Sequence, residues 1–173
     1  KETIKKLKIS LNKCLSSDQF KHISSDNLIV ADHPYTFDNN PSKSILHIPS
    51  WIIKWLKQKL FFNKKVKNNY PKKIYIDRSD SNFSKIRYII NEDEVKNTLK
   101  LENFSFVSLS SISFEQQAQM FYNADIIVGL HGAGFTNIIF SKPGCKIIEL
   151  QSKTAGDVIK NLAIKCKLNY KRL

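Results

Sequence analysis

Ala124-Asp125-Ile126-Ile127-Val128-Gly129-Leu130-His131-Gly132-Ala133-Gly134-Phe135-Thr136-Asn137 is the stretch whose reading decides the fold. An apolar run over 126–128 breaks at Gly129, passes through His-Gly-Ala-Gly, and resumes with helix-compatible residues from Thr136 onward. The chain has 5 glycines, and Gly129, Gly132 and Gly134 all fall in this turn. Glycine loses more chain entropy on ordering than any other residue. A chain that concentrates it therefore needs positive φ or close backbone approach at that place. A strand that ends in a glycine turn and opens a helix aims unpaired N–H groups at one point, which suits phosphate. The ligand this implies is a nucleotide or a phosphorylated donor.

Around this turn, strands and helices alternate. Residues 73–77 read as a strand. Asn91-Glu92-Asp93-Glu94 has the spacing of a capping box that opens a helix to about Leu101. Residues 104–109 form the next strand. Ser113-Phe114-Glu115-Gln116 repeats the capping pattern before a helix to Asn123. Residues 125–129 are the strand before the glycine turn, with a short helix after it. Residues 146–150 are another strand and 157–166 a final helix. Upstream, apolar residues at Ile4, Leu7, Leu11 and Leu15 predict a helix over 1–15, and residues 27–31 a short buried strand. Pro34, Asp38, Asn39, Asn40 and Pro41 mark 32–44 as loop. Pro49, at the first helical position, opens a helix to about Phe62. Strands alternating with helices through short connections predict an α/β fold: a Rossmann-like parallel sheet with helices on both faces. Residues 1–72 read as a basic lead-in and 73–173 as the sheet-bearing lobe, together one compact domain.

A hydrophobic content of 42% with 25% charged residues is that of a globular protein with a real core. No apolar run approaches the roughly 20 residues that span a bilayer. The chain starts at Lys1 without a leader-like segment, so a piece of a longer protein is expected. Cys14, Cys145 and Cys166 are odd in number and lack CxxC spacing. That argues against a disulfide framework or zinc site and for a reducing, cytoplasmic setting. The net charge of +13 is uneven, since residues 1–73 carry 15 Lys against 5 acids. Of 28 basic residues only Arg78, Arg87 and Arg172 are arginine. Nucleic-acid readers depend on arginine for base edges and bidentate phosphate contacts, so nucleic acid is not the expected partner.

Ligands of such sheets sit beyond the carboxyl ends of the strands. Arg78, Ser110, the 129–137 turn and Glu149 all reach that edge. A diphosphate on the Gly132–Gly134 amides would gain from Arg78. Glu149 could accept hydrogen bonds from a ribose diol, and His131 could donate to phosphate or to a leaving oxygen. Each has a plainer alternative. His131 can be a satisfied structural residue, and Arg78 and Arg87 can pair with Asp80, Glu92, Asp93 or Glu94 at the surface. Gly-x-Gly here lacks the third glycine of the dinucleotide fingerprint.

The strings Lys73-Ile74-Tyr75-Ile76-Asp77-Arg78 and Arg87-Tyr88-Ile89-Ile90-Asn91-Glu92-Asp93-Glu94 resemble glycosyltransferase family 61. So do Ser113-Phe114-Glu115-Gln116-Gln117, His131-Gly132-Ala133-Gly134-Phe135-Thr136-Asn137 and Ile147-Ile148-Glu149-Leu150. The likeness is densest over 74–150, and the family includes capsular-polysaccharide enzymes and protein O-GlcNAc and xylosyl transferases. It implies one lobe of a GT-B enzyme, an inverting mechanism and a nucleotide-sugar donor, with a UDP-sugar the first expectation. By position, Arg78, Gly132, Ala133, Gly134, Thr136 and Asn137 would hold the diphosphate, and Glu149 would lie near the nucleoside. Where members often carry two arginines this chain has Arg78-Ser79, preceded by Asp77, whose charge would repel a diphosphate unless directed away.

Inverting transfer needs a base for the acceptor hydroxyl and a group to neutralise the departing diphosphate. Turn amides and Arg78 can supply the second, and no Asp-x-Asp triplet exists to chelate a divalent ion, so metal-independent action is expected. The base is not evident. His131 is the candidate in this chain, and a base from a second lobe would leave this chain alone with little transfer activity. A silent module that binds nucleotide sugar or a partner is the other reading. The segment 50–65 is basic and amphipathic and holds both tryptophans. It could lie peripherally on an anionic membrane, or it could bury Trp51, Trp55 and Phe62 and wet only its lysines.

Overall fold

The computed structural model describes residues 2–30, 35, 37–61, 69–79 and 88–173. Its centre is a five-stranded sheet in the order β2-β1-β3-β4-β5, parallel throughout. The strands are β1 (Lys73–Asp77), β2 (Ser105–Ser108), β3 (Ile126–Leu130), β4 (Lys146–Leu150) and β5 (Asn169–Arg172). Continuous apolar runs make β1 and β3 interior strands, because a parallel sheet under helices is dry on both sides. Ile74, Ile127 and Ile147 stand in register across one face and are fully buried.

That face carries most of the cover. Helix α3 (Ser50–Leu60) contributes Ile53 and Leu60, and α5 (Phe114–Asn123) contributes Ala118 and Phe121. Helix α6 (Val158–Lys165) adds Ile159, Leu162 and Ala163. Between them runs a 3-10 helix, Ala133–Phe140, where the sequence predicts a short helix. Phe140 packs edge-on to Phe114 and, through Phe61, joins the end of α3 to it, with ring centroids 5.7 Å apart in both pairs. The opposite face is covered over β1 and β2 by α4 (Glu92–Leu101). There the Tyr75 hydroxyl donates to Glu92 at 3.2 Å, and Lys96 pairs with Asp77 at 3.3 Å. Upstream, α1 (Glu2–Lys6) sets Lys6 3.6 Å from Glu115, and α2 (Pro41–Leu46) offers the Leu46 carbonyl to Asn161 at 3.1 Å.

Most predicted elements fall within a residue or two of their places. The capping box at Ser113 forms in full, with Ser113 and Gln116 each bonding the other's backbone N–H. At Asn91 the helix begins but the box does not close, since the Asn91 amide donates to the Glu94 side chain instead. The helix predicted over 1–15 is only α1 and a 3-10 turn at Leu11–Lys13. Residues 27–30 form no strand. Leu28, Ile29 and Val30 are exposed, with no neighbouring strand among the described residues to complete their hydrogen bonds, and Ala31 is outside the described residues. Strand β5 is additional to the prediction: it is an edge strand of mostly exposed polar residues, so it has no apolar run to announce it. Trp51 and Trp55 are 57% and 42% exposed, which corrects the alternative that buries them; Phe62 is outside the described residues.

The strand order creates a crevice. From β1 the chain passes through α4 on one face to β2, and from β2 it returns through α5 on the other face to β3. The carboxyl ends of β1 and β3 are therefore neighbours whose connections diverge, which is where open α/β sheets bind ligands.

Two stability tests follow from this packing. Ile127→Ala should destabilise the fold by about 2–5 kcal/mol, as buried large-to-small changes do, whereas Trp51→Ala should stay within about 0.5 kcal/mol. Denaturant titration of both variants checks the contrast, and equal losses would contradict the exposure of Trp51. The second concerns Asp77. Burial would raise its pKa from 3.8, but the Ser79 hydrogen bonds and the Lys96 charge outweigh burial and hold it lower. A depressed carboxylate stabilises the fold above its unfolded pKa and loses that contribution as pH falls through the folded value. The stability gap between the parent and Asp77→Asn should thus shrink on acidification below about pH 4. A gap independent of pH would overturn it.

Candidate functional site

The crevice between β1 and β3 is closed by one hydrogen bond. Arg78, the first residue beyond β1, donates from Nη1 to the His131 carbonyl at 2.7 Å. This link explains Gly132. Its backbone is extended (φ 164°, ψ 176°), so no special torsion is required there. A Cβ on Gly132 would instead lie 2.6 Å from Arg78 Nη1. Close approach also accounts for the other two glycines of the turn, where a Cβ would meet Ile76 Cβ at 3.0 Å from Gly129 and Leu109 Cδ1 at 2.9 Å from Gly134. The guanidinium has five N–H donors, and among the described residues one of them goes to His131. It borders a cleft of about 240 Å³ whose floor includes Ser110, Ala133 and Gly134. The Gly132, Ala133 and Gly134 amides begin the 3-10 helix and, among the described residues, donate to no backbone carbonyl.

Asp77 is turned to the other side of the strand. Its carboxylate accepts from the Ser79 N–H at 2.9 Å and faces Lys96, so its charge is spent on α4. Thr136 and Asn137 lie in the turn but direct their side chains within it. Thr136 Oγ1 donates to the Ala133 carbonyl at 2.7 Å. Asn137 Nδ2 donates to Gln117 Oε1 at 3.0 Å and to the Gly134 carbonyl at 3.3 Å. Gln117 in turn donates to the Leu109 carbonyl at 2.8 Å, tying α5, the exit from β2 and the glycine turn together. These side chains hold the shape of the turn, and the sequence offers no separate signal for that role of Gln117. Arg87 and Asp80 are outside the described residues.

Glu149 differs most from expectation. It is fully buried at the end of β4, in register with Gly129. Oε1 lies 2.5 Å from His131 Nδ1, and Oε2 accepts from the Tyr170 hydroxyl at 2.6 Å. With both oxygens engaged beneath the surface, neither faces a ribose. Burial, followed by the hydrogen bond to Glu149, pushes the Tyr170 phenol up to about 12. Tyr170 belongs to β5, the strand without a sequence signal, and so this partner was not foreseeable. His131 borders a second cleft of about 460 Å³, formed with Tyr88, Gln151 and the 152–156 loop, and Leu130 lies between the two clefts. Among the described residues, no group of three or more His, Cys, Asp and Glu side chains could hold a metal ion, and no helix is long and apolar enough to cross a membrane.

The sequence profile of Glycosyltransferase 61 matches residues 3–148, most of the chain. The EGF domain-specific O-linked N-acetylglucosamine transferase of Drosophila melanogaster is 33% identical over 83 residues, 46% of this chain and 16% of that protein. The Bos taurus protein of the same name is 30% identical over 92 residues, 50% of this chain and 16% of its own length. The Gallus gallus one is 32% identical over 69 residues, 37% of this chain and 13% of its own. The likeness therefore spans only a small part of those relatives. With the profile running from the lead-in through the glycine turn to β4, the chain belongs to glycosyltransferase family 61.

Proposed function

We propose that this chain is the donor-binding part of an inverting, nucleotide-sugar-dependent glycosyltransferase of the GT-B type, with a UDP-sugar as donor and a glycan or glycoconjugate as acceptor. The observation that carries the reading is the Arg78 guanidinium bonded to the His131 carbonyl against Gly132, so that a fixed cation and the turn amides border one cleft. Glycosyl transfer builds negative charge on the leaving diphosphate. Donors already oriented toward that charge stabilise the transition state without reorganising. Arg78 and the Gly132, Ala133 and Gly134 amides supply this without a divalent ion. Asp77, held by Lys96 and Ser79, does not oppose it. The relatives' names make N-acetylglucosamine the first sugar to try, and a protein-linked acceptor one class beside capsular or other polysaccharide.

A second feature bears on where the protein works. Trp51 and Trp55 are exposed on α3, and Lys54 and Lys59 flank them on the same solvent-facing arc. Exposed indoles bordered by lysines suit the interface of an anionic membrane. The proposal is of a cytoplasmic enzyme held peripherally there.

Calorimetry with UDP should show binding that persists in EDTA. Arg78→Ala should weaken it by about 1.5–3 kcal/mol, the range for a hydrogen bond to a charged group, and Arg78→Lys should recover only part because the planar fork is lost. Binding that vanishes on chelation, or an alanine variant as tight as the parent, would contradict the site. For the membrane reading, the parent should sediment with vesicles containing phosphatidylserine, and the Trp51→Ala, Trp55→Ala double variant should stay in the supernatant. Equal partitioning of the two proteins would remove α3 as the contact.

A further inference from the structure

One strongly basic surface takes no part in the donor crevice. Helices α3 and α6 border an open groove of about 620 Å³, lined by Lys54 and Lys57 on α3 and by Lys165 and Lys167 at and just beyond the end of α6. Its walls between them are apolar at Ile53 and Pro143, and no carboxylate lines it among the described residues. Nor does any of the four lysines form an ion pair among those residues. Lys167 follows the helix in the left-handed conformation (φ 58°) that helix ends usually give to glycine. Its carbonyl accepts from the Gly144 N–H at 2.9 Å, which fixes the Pro143 turn against the end of α6.

The topology sets where this groove lies. Pro143 precedes β4, Lys167 precedes β5, and the strands are parallel throughout. The groove therefore opens at the amino edge of the sheet, whereas the Arg78 cleft opens at the carboxyl edge. With about 3.6 residues per turn, Trp51 and Trp55 occupy the arc of α3 next to Lys54, and both are exposed. Unpaired lysines, apolar walls and exposed indoles together match a layered target, a phosphate above hydrocarbon. An acidic peptide would answer the lysines but give the indoles no apolar layer to enter.

We infer that the groove between α3 and α6 seats the phosphate of an anionic phospholipid headgroup, with Trp51 and Trp55 entering the bilayer interface beside it. Lysine ammoniums serve here as point charges on a surface that must move over the membrane, and no bidentate fork is needed. This rests on the membrane reading of α3 and adds to it a discrete site, half of which comes from α6. It also sets an orientation, since with the amino edge on the membrane the donor crevice opens away from the bilayer.

The test is sedimentation of the whole chain with vesicles of phosphatidylcholine, alone or mixed with phosphatidylserine. The parent is compared with a Lys165→Gln, Lys167→Gln double variant and with a Lys13→Gln, Lys100→Gln double variant. Both variants lose the same charge, the first from the groove on the helix without tryptophans, the second from positions that do not line it. All four lysines are exposed, so thermal midpoints should match the parent's. The parent should partition onto the mixed vesicles and not onto phosphatidylcholine alone. The groove variant should partition about tenfold or more weakly, the scale of two lysines withdrawn from an anionic surface. The control should stay within about twofold, because salt screens charges beyond about a Debye length. Affinity for UDP should be equal in all three proteins, and its loss in the groove variant would overturn the separation of the two sites. A groove variant that partitions like the parent, or like the control, would overturn the headgroup site and leave the tryptophan contact standing. A parent that ignores the mixed vesicles would overturn the membrane reading itself, and its retention on immobilised polyglutamate would then make an acidic protein the occupant.

Discussion

The guanidinium of Arg78 and the carbonyl of His131 are separated by more than fifty residues in sequence and by 2.7 Å in space. That contact requires β1 and β3 to lie side by side, which the strand order provides by sending the chain out to β2 and back across β1. It also requires that nothing project from residue 132, which only glycine satisfies. Parallel pairing, divergent crossovers and the glycine turn thus serve one constraint: the ends of two interior strands must approach closely enough for a cation to brace a run of free amides. The covered face, with its aromatic join at Phe61, Phe114 and Phe140, holds the turn from below.

Charge is arranged around this point more exactingly than the net excess of +13 suggests. Asp77, the carboxylate next to Arg78, is neutralised on the far side of the strand by Lys96. Glu149 is buried against His131 and accepts two hydrogen bonds. Asp77 borders the cleft with its carboxylate already paired, Glu149 does not line it, and Arg78 with Ala133 and Gly134 of the turn does. A single central substitution in this set would leave a buried group unpaired, which is more damaging than the loss of a surface contact.

The sheet is legible in the sequence where its strands carry apolar residues between turn signals. Residues 73–77 and 146–150 were read to the residue because dry strands show as apolar runs. Strand β5 is not, since Asn169-Tyr170-Lys171-Arg172 holds no apolar run and only Tyr170 is partly covered. Apolar content misleads in the other direction at 27–30, where Leu28, Ile29 and Val30 are exposed and pair with no strand among the described residues. Within the site, Arg78 and the glycines could be found because their residue types are rare in this chain. The hydrogen bonds of Glu149, Asn137 and Gln117 could not, because burial and partners depend on register across elements distant in sequence.

The claim on which the account depends is that a nucleoside diphosphate occupies the crevice between β1 and β3. An amide-resolved NMR titration with UDP tests it most directly, since the turn N–H groups would be hydrogen-bond donors to the ligand. The account predicts that the largest shifts fall at Gly132, Ala133 and Gly134, with the Arg78 side-chain resonances moving in the same concentration range. Shifts confined to the lysine-rich flank of α3 and α6, with the glycine turn unmoved, would contradict it.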